Sequence, residues 1–370
     1  MDVLNRANQL ERSGRTIWHL EAGQPSTKAP VAALDAVQTA LRAQALGYTE
    51  ALGTPQLRER ISQHYQEWYD VRVPPERIVI TTGSSAGFVL AFLAAFDTGQ
   101  ALAIANPGYP AYRNISKALG LNAQLINCGF DEQFRLSAKS LAKQSAIDGL
   151  LVASPSNPCG TVIEPSELRR IVDQCAARKI WLISDEIYHG ITYGRNAQTV
   201  LAFTPNAIVI NSFSKYFSMT GWRIGWMVVP EHMVPTVEKL AQNFYISPPA
   251  VSQLAALHAF DAKRELEGHV QAYAHNRAVL LNALEKSTFG SIAPADGAFY
   301  LYADCSVFGL NSIEFTSRLL DETGVAATSG IDFDPIDGMN WVRFSYAGAS
   351  TEIERAAAEI QVWSSTLVKV

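Results

Sequence analysis

Lys215 is a candidate nucleophile because it lies among Ser, Phe, Tyr and Met residues rather than on a charged face. A lysine in such surroundings loses its proton more readily and can form a Schiff base. Eight residues further along the chain, Arg223 offers a rigid bidentate donor for a carboxylate or phosphate. Taken alone, the plainer interpretation of Lys215 is an ordinary surface lysine.

Two other polar clusters follow predicted strands and suit ligand binding. Gly83 lets the backbone approach a ligand, and Ser84 and Ser85 place hydroxyl and free N–H groups at a helix start, which favours an anion. A simple N-cap and turn is the alternative. Asp185 ends an apolar run, so its carboxylate either pairs with a cation or shifts its pKa. It could equally cap the next helix.

The elements that position these residues alternate between about residues 75 and 230. Short apolar runs are separated by amphipathic stretches such as Pro165–Arg178, which begins like a helix. This alternation predicts a mainly parallel sheet with helices on both faces, and ligands bind such sheets at the carboxyl ends of the strands. The predicted strands are Ile78–Thr82, Ala101–Ala105, Gly149–Ser154, Ile180–Ser184, Ala207–Asn211 and Ile224–Val229.

The pattern changes after about residue 235, which predicts two domains. Residues 31–255 are expected to form a large domain, and residues 1–30 with 256–370 a smaller one. The small domain mixes helices with short strands. The predicted elements of this half are the helices Met233–Phe244 and Ser252–Leu284 and the strands Ala298–Tyr302 and Trp341–Tyr346.

Composition excludes several functional classes. The net charge is −5 and no run of Lys or Arg is visible, which argues against a nucleic-acid partner. The four cysteines are far apart, which is typical of reduced thiols in a cytosolic protein and predicts no metal site. The longest apolar run, Ala86–Phe96, is too short for a membrane span, and Met1–Gly14 resembles no targeting signal. We therefore expect a cytoplasmic protein.

The segment from Ser212-Phe213-Ser214-Lys215 to Met219-Thr220-Gly221-Trp222-Arg223 closely resembles the lysine signature of class I and II aminotransferases, which are fold type I pyridoxal-phosphate (PLP) enzymes. The likeness extends along nearly the whole chain, in family order. The matching motifs are Gly23-Gln24-Pro25, Gly47-Tyr48 with Gly53 and Leu57-Arg58, Asn106 to Pro110, Ser156 to Gly160, Asp185 to Tyr188, and Val342 to Ser345.

This resemblance implies an α/β fold with a mainly parallel seven-stranded sheet in a large PLP-binding domain and a smaller α+β domain. It implies pyridoxal 5'-phosphate as a covalent Schiff base on Lys215, which also moves a proton as general base and acid. Asp185 would pair with the pyridine nitrogen, and Tyr188 would bind the phenolate oxygen. The implied cofactor-binding residues are Ser84, Ser85, Tyr109, Asn157, Asp185, Tyr188, Ser212, Ser214, Lys215, Arg223 and Tyr48.

The resemblance also implies how the substrate and a partner subunit contribute. Arg343 matches the arginine that binds the substrate α-carboxylate, with help from Asn157 and the backbone at Gly23, although its position alone suggests a surface charge. Tyr48 matches a tyrosine that reaches the phosphate of the neighbouring subunit, which predicts a homodimer with shared active sites. Cis peptide bonds are expected before Pro155 and Pro158.

The leading functional hypothesis is an aminotransferase that moves an amino group from an L-amino acid to a 2-oxo acid by a ping-pong mechanism. A carbon–sulfur lyase of the same fold is the alternative, since pocket geometry sets the reaction type. A third class, PLP-binding transcription regulators, carries an N-terminal DNA-binding module, which the roughly 20 residues before Gly23 do not provide. The aromatic segment 243–249 favours neutral or aromatic donors.

Overall fold

The computed structural model describes residues 2–43, 45–287 and 289–367. The strands, in chain order, are β1 Trp18–His19, β2 Ile78–Thr81, β3 Ala101–Asn106, β4 Asn122–Asn127, β5 Gly149–Ala153, β6 Trp181–Asp185, β7 Ile208–Ser212, β8 Gly225–Val228, β9 Tyr300–Asp304, β10 Val325–Ala326, β11 Thr328–Ser329 and β12 Trp341–Ser345. The α-helices are α1 Asp2–Arg12, α2 Val31–Ala43, α3 Pro55–Tyr69, α4 Ser84–Ala95, α5 Pro110–Ala118, α6 Ala138–Ala142, α7 Pro165–Arg178, α8 Val234–Tyr245, α9 Ala250–Ala259, α10 Lys263–Lys286, α11 Ser312–Thr323 and α12 Ser350–Ser364.

The main sheet has seven strands in the order β2-β8-β7-β6-β5-β3-β4. All neighbouring pairs are parallel except those of β8, which runs antiparallel to both β2 and β7. The carboxyl ends of the other six strands therefore lie at one edge. This arrangement confirms the predicted fold class and brings the polar clusters together.

Helices cover both faces of this sheet because successive side chains of each strand point to opposite sides. In β7, Ile208 and Ile210 belong to one buried apolar cluster while Val209 belongs to another. The same division separates Val79 from Ile78 on β2. A strand buried on both faces needs apolar residues at every position, which explains why these segments are continuous apolar runs.

A three-stranded antiparallel sheet, in the order β11-β12-β9, forms from the C-terminal part of the chain. The N-terminal segment forms a separate two-stranded sheet with this part of the chain, because β1 pairs in parallel with β10 through Trp18 and Val325. These pairings place Gly23 and Arg343, which are far apart in sequence, in the same region of the molecule.

The predicted strands of the main sheet are confirmed to within about one residue at each end, and α7 spans Pro165–Arg178 as predicted. The edge strand β4 was not predicted, because its half-exposed sequence Asn-Ala-Gln-Leu-Ile-Asn lacks an apolar run. The single helix predicted over Ser252–Leu284 is wrong. A tight turn at Phe260–Ala262 separates α9 from α10, since buried Phe260 packs against Phe213 and Phe217.

Several smaller predictions can also be checked. The cysteines Cys128, Cys159, Cys175 and Cys305 are all free and buried, as expected. Cis peptide bonds precede Pro155 and Pro158 as predicted, and a third, which was not predicted, precedes Pro107. Across the described ranges, none of the helices combines the length and the apolar character that crossing a bilayer requires.

Candidate active site

Lys215 lies in the loop after β7 and is enclosed by protein, so the interpretation as a surface lysine is wrong. Its Nζ donates a hydrogen bond to the carbonyl oxygen of Gly23 at 2.6 Å. Burial, reinforced by the charge of Arg343, lowers the pKa of this amine to about 8. Near neutral pH, Lys215 therefore has a larger unprotonated fraction than an ordinary lysine, as a nucleophilic amine requires.

Asp185 ends β6 and is only 3% exposed. Its Oδ2 accepts a hydrogen bond from the hydroxyl of Tyr112 on α5, and its Oδ1 accepts one from the backbone N–H of Ile187 at 3.0 Å. Burial raises the pKa of Asp185 to about 6 despite these bonds. No α-helix follows β6 directly, so Asp185 is not a helix cap and is available to a buried cation.

The start of α4 forms a close contact with Arg223. Gly83 has φ 80, and a Cβ atom there would lie 2.4 Å from Nη2 of Arg223, so only glycine fits. Ser84 and Ser85 are the first two residues of the helix. Arg223 also has a positive φ of 50 and donates from Nη1 to the carbonyl of Thr220 at 3.1 Å. Free helix N–H groups, hydroxyls and a guanidinium together suit a phosphate.

Ser212 and Ser214 organise the lysine loop through their own hydrogen bonds. The Ser212 hydroxyl donates to the carbonyl of Ile224 at 3.0 Å and accepts from the Ser214 N–H at 3.1 Å. The two hydroxyl oxygens lie 2.8 Å apart. These contacts link the end of β7 to the start of β8, which fixes Lys215 relative to Arg223.

Arg343 lies on β12 with only 6% of its surface exposed, so the surface-charge interpretation is wrong. Its guanidinium stacks on the rings of Tyr300 and Phe333, at 4.4 and 4.6 Å from their centroids. It donates to Oδ1 of Asn157 at 3.0 Å and to the carbonyl of Glu21 at 2.6 Å. Its Nε has no hydrogen-bond partner among the described residues. This buried cation therefore favours an anionic ligand.

The tyrosines of the predicted site occupy different environments. The hydroxyl of buried Tyr188 lies 2.7 Å from that of Tyr300, and Lys215 Nζ lies 5.8 Å from the centroid of the Tyr188 ring. Tyr109 precedes α5 and is 38% exposed. Tyr48 is 82% exposed, so it contributes nothing to the site of its own chain.

Tyr112 and Tyr300 were missed by sequence reasoning. Tyr112 lies in the first turn of α5, and its place two residues after the motif Asn106 to Pro110 could have indicated it. Tyr300 lies at the start of β9 beside two other aromatic residues, and nothing in the local sequence distinguishes it from them as a site residue. The segment 243–249 does not line a closed cleft within one chain, because Phe244 and Ile246 are more than half exposed.

A buried polar network lies behind Asp185. The Oε1 of Glu186 accepts hydrogen bonds from Ser184, Thr199 and the Val200 N–H at 3.0–3.1 Å. Its Oε2 has no hydrogen-bond partner among the described residues, and burial raises the pKa of Glu186 to about 7. His189 contacts this carboxylate at 3.7 Å, and burial lowers its pKa to about 4, so the imidazole is neutral.

We expect Glu186→Gln to change the pH dependence of stability. Because the pKa of Glu186 is about 7 in the folded protein and near 4.5 when unfolded, the native carboxylate destabilises the fold increasingly from pH 4.5 to 7 and fully above pH 7. Relative to the wild type, the variant should gain about 2 kcal/mol in free energy of unfolding between pH 5 and pH 8. Denaturant unfolding at both pH values measures this. The exposed Glu359→Gln is the control, and an equal difference at both pH values contradicts the prediction.

Comparison with known proteins identifies the class. A model of the family described as "Aminotransferase class I and II" matches residues 15–360, which is most of the chain. This protein therefore belongs to the class I and II aminotransferase family.

Individual relatives and solved structures agree with this family. The chain is 48% identical to a valine–pyruvate aminotransferase of Mycobacterium tuberculosis, over 98% of this chain and 95% of the relative. It is 34% identical, at the same coverage, to a (5-formylfuran-3-yl)methyl phosphate transaminase of Methanocaldococcus jannaschii. A crystal structure of an aminotransferase from Mycobacterium tuberculosis superposes with a TM-score of 0.97 at 47% identity, covering 99% and 96% of the two chains.

The protein is thus a PLP-dependent aminotransferase rather than a lyase. A more distant structure, Thermus thermophilus aspartate aminotransferase with maleate, matches with a TM-score of 0.91 at 26% identity over 98% and 95% of the chains. The residues fit the cofactor on structural grounds. An amine with a lowered pKa suits an aldehyde, and a buried carboxylate suits a protonated pyridine nitrogen. The glycine-opened start of α4 beside Arg223 suits a phosphate.

Proposed function

We propose that this aminotransferase takes the amino group of a neutral L-amino acid, with valine as the first candidate, and transfers it to pyruvate. The observation that best supports this proposal is the buried guanidinium of Arg343, whose Nε has no partner among the described residues. One guanidinium serves one carboxylate, namely the α-carboxylate. Among the described residues, the cations whose charge acts on Lys215 are Arg343 and Arg223. With Arg223 assigned to the phosphate, the cations that act on Lys215 within the described part of the chain leave none for a side-chain carboxylate. The valine–pyruvate relative at 48% identity supports the same choice.

Lys215 holds the cofactor covalently and then moves a proton between the substrate Cα and the cofactor. Once bound, PLP supplies an electron sink that stabilises negative charge at that carbon. The lowered pKa of Lys215 lets the amine accept the Cα proton and return it near neutral pH. The carboxylate of Asp185 would pair with the protonated pyridine nitrogen of PLP. Tyr112 orients that carboxylate by donating a hydrogen bond to it.

The remaining site residues position the two reactants. Ser84, Ser85, Ser212, Ser214 and Arg223 hold the phosphate at the start of α4 and around the lysine loop.

Tyr109 would pack on the cofactor ring, and Tyr188 with Asn157 would bind its phenolate oxygen. Arg343 binds the substrate carboxylate bidentately, and Asn157, already bonded to Arg343, keeps the guanidinium oriented. The carbonyl of Gly23 accepts a hydrogen bond from the Lys215 amine and holds that amine next to the N-terminal segment that also contacts Arg343.

We further propose a homodimer in which Tyr48 of each chain reaches the phosphate of its partner. Tyr48 is 82% exposed, and other large apolar side chains on α2 and at the end of α8 are exposed as well, namely Val31, Leu34, Leu41, Phe244 and Ile246. Exposed large apolar groups are common at protein–protein interfaces, and Tyr48 lies close to Ile246 because the N–H of Thr49 donates to the hydroxyl of Ser247 at 3.3 Å.

We also propose the domain division 31–255 against 1–30 with 256–370, and a cytoplasmic role in amino acid biosynthesis. The seven-stranded sheet falls within the first range, and the β1–β10 pair joins the two parts of the second. Four free, buried cysteines support a reducing compartment.

A panel of amino donors tested with pyruvate and with 2-oxoglutarate examines the substrate proposal. We expect kcat/KM for valine with pyruvate to exceed that for aspartate by at least about tenfold, because a second carboxylate would be buried without a cation. Aspartate as the preferred donor would refute the neutral-donor assignment while leaving the aminotransferase class intact.

Gly83→Ala should weaken PLP binding by about tenfold or more, because the new Cβ displaces Arg223 and removes a charged hydrogen bond to the phosphate. The matched control is Gly99→Ala, whose φ is 89 and whose Cβ would meet nothing within 4 Å. Backbone strain is thus common to both variants, whereas the contact with Arg223 is specific to the first. Titration of the apo forms with PLP measures the two affinities, and equal losses would refute the role of Arg223.

A further inference from the structure

A second pocket, partly open to solvent, lies against the lysine loop. It has a volume of about 210 Å³ and shares no lining residue with the site described above. Its walls come from α3, from the two residues that follow Lys215, from the turn between α9 and α10, and from the first turns of α10. We call it the aromatic cavity, and its lining residues are Arg60, His64, Glu67, Trp68, Tyr216, Phe217, Phe260, Lys263 and Leu266.

The walls present aromatic rings at varied angles. Trp68 meets Tyr216 edge-on at 5.1 Å between ring centroids, and Phe217 meets Phe260 edge-on at 4.9 Å. Rings that meet edge to face stabilise one another, and an inserted ring gains the same contacts. The cavity is larger than the roughly 150 Å³ of an apolar cavity that holds benzene.

Two polar groups at the cavity lack partners. His64 is 3% exposed and makes no hydrogen bond with any described residue. Burial lowers the pKa of His64 to about 3, so its ring is neutral and retains one N–H donor. The Nη1 of Arg60 is buried and likewise unpartnered within the described part of the chain. Buried donors are normally satisfied, so the unpartnered Nη1 of Arg60 indicates a ligand with an acceptor atom, and the N–H of His64 offers a second donor at the same cavity.

The charges at the cavity favour an anion. Arg60 places its guanidinium over the Phe260 ring at 4.5 Å and uses Nη2 for Glu67 at 3.2 Å, which leaves Nη1 free. Lys263 adds a second cation, and its contact with Glu267 is long, at 3.8 Å, and exposed. Two cations and one acid give the lining a net charge of +1. A monoanion complements this charge.

We propose that the aromatic cavity binds a small aromatic carboxylate, with the ring against Trp68, Phe217 and Phe260 and the carboxylate on Arg60. Tyr216 and Phe217 directly follow Lys215 in the chain. A ligand in the cavity therefore packs against the loop that carries the lysine, through residues that are not part of the substrate site.

Phenylacetate is the probe, and isothermal titration calorimetry of the holoenzyme is the measurement. We expect one binding site per chain. Arg60→Met should weaken binding by about tenfold or more through the lost charged hydrogen bond, and Trp68→Ala should weaken it through lost ring contact. Phenylacetamide, which has the same shape without the charge, should also bind at least about tenfold more weakly.

Two controls separate this cavity from the active site. Arg343→Gln removes the carboxylate-binding guanidinium of the active site and should leave phenylacetate affinity within about twofold. Arg264→Met removes an exposed cation on α10 that does not line the cavity, and it should have no effect. The proposal is overturned if no binding occurs up to about 10 mM. It is equally overturned if Arg343→Gln abolishes binding or if Arg60→Met and Trp68→Ala leave it unchanged.

Discussion

Lys215→Ala should lower the rate of amino transfer by at least about 10,000-fold, because one side chain both attaches the cofactor and moves the proton. Among the described residues, Lys215 is the lysine whose charge acts on buried Asp185, so no other described amine is placed to replace it. The measurement is the initial rate with valine and pyruvate at saturating PLP. Borohydride treatment should fix PLP to the wild type and not to the variant.

The control for this experiment is Lys117→Ala, which removes an exposed lysine from α5. It should retain the wild-type rate, and circular dichroism should show that both variants are folded. If Lys215→Ala kept a covalent, reducible adduct, then another lysine would carry the cofactor and the assignment of the site would be wrong.

Arg343→Gln should lower kcat/KM for an amino acid by about 1,000-fold, because it removes a buried, bidentate pair with the α-carboxylate. The kcat/KM of Arg343→Lys should lie between those of Arg343→Gln and the wild type, since an ammonium keeps the positive charge but lacks the planar pair of N–H donors. The informative comparison is valine against isobutylamine, which is valine without its carboxylate. The wild type should strongly prefer valine, and the glutamine variant should show little preference.

Isobutylamine also serves as the internal control for folding. Arg343 stacks between Tyr300 and Phe333, so its replacement could disturb the site more generally. General disturbance lowers the rates of both substrates together, whereas loss of carboxylate binding affects valine alone. Equal losses for the two substrates would therefore contradict the assigned role.

Much of the fold could be predicted from the sequence because strands buried on both faces need apolar residues throughout. The runs that became β5 to β7 carry this signal, and the polar residues after them had to meet at one sheet edge. The edge strand β4 could not be predicted because it is partly exposed to water and its composition is mixed. The 3-10 turn at Phe260–Ala262 could not be predicted because it contains neither Pro nor Gly. Its visible feature is the tertiary packing of the Phe260 ring, which the local sequence does not reveal.

Site residues differ in how far local sequence identifies them. Lys215 and Asp185 follow strands of the main sheet, so topology alone brought them together. Arg343 lies on a separate sheet, and only its resemblance to a family motif indicated it. Tyr300 could not be found because its role depends on contacts with Tyr188 and Arg343 across more than one element.

The short N-terminal segment has one more consequence for selectivity. Its carbonyl oxygens at Glu21 and Gly23 accept hydrogen bonds from Arg343 and Lys215. A carbonyl satisfies a donor but carries no net charge, so the positive charge of both side chains remains uncompensated by these contacts. Neutral molecules gain little by replacing such acceptors, whereas a carboxylate gains the full Coulombic attraction. The site is therefore selective first for a negatively charged group, and only then for the shape of the rest of the molecule.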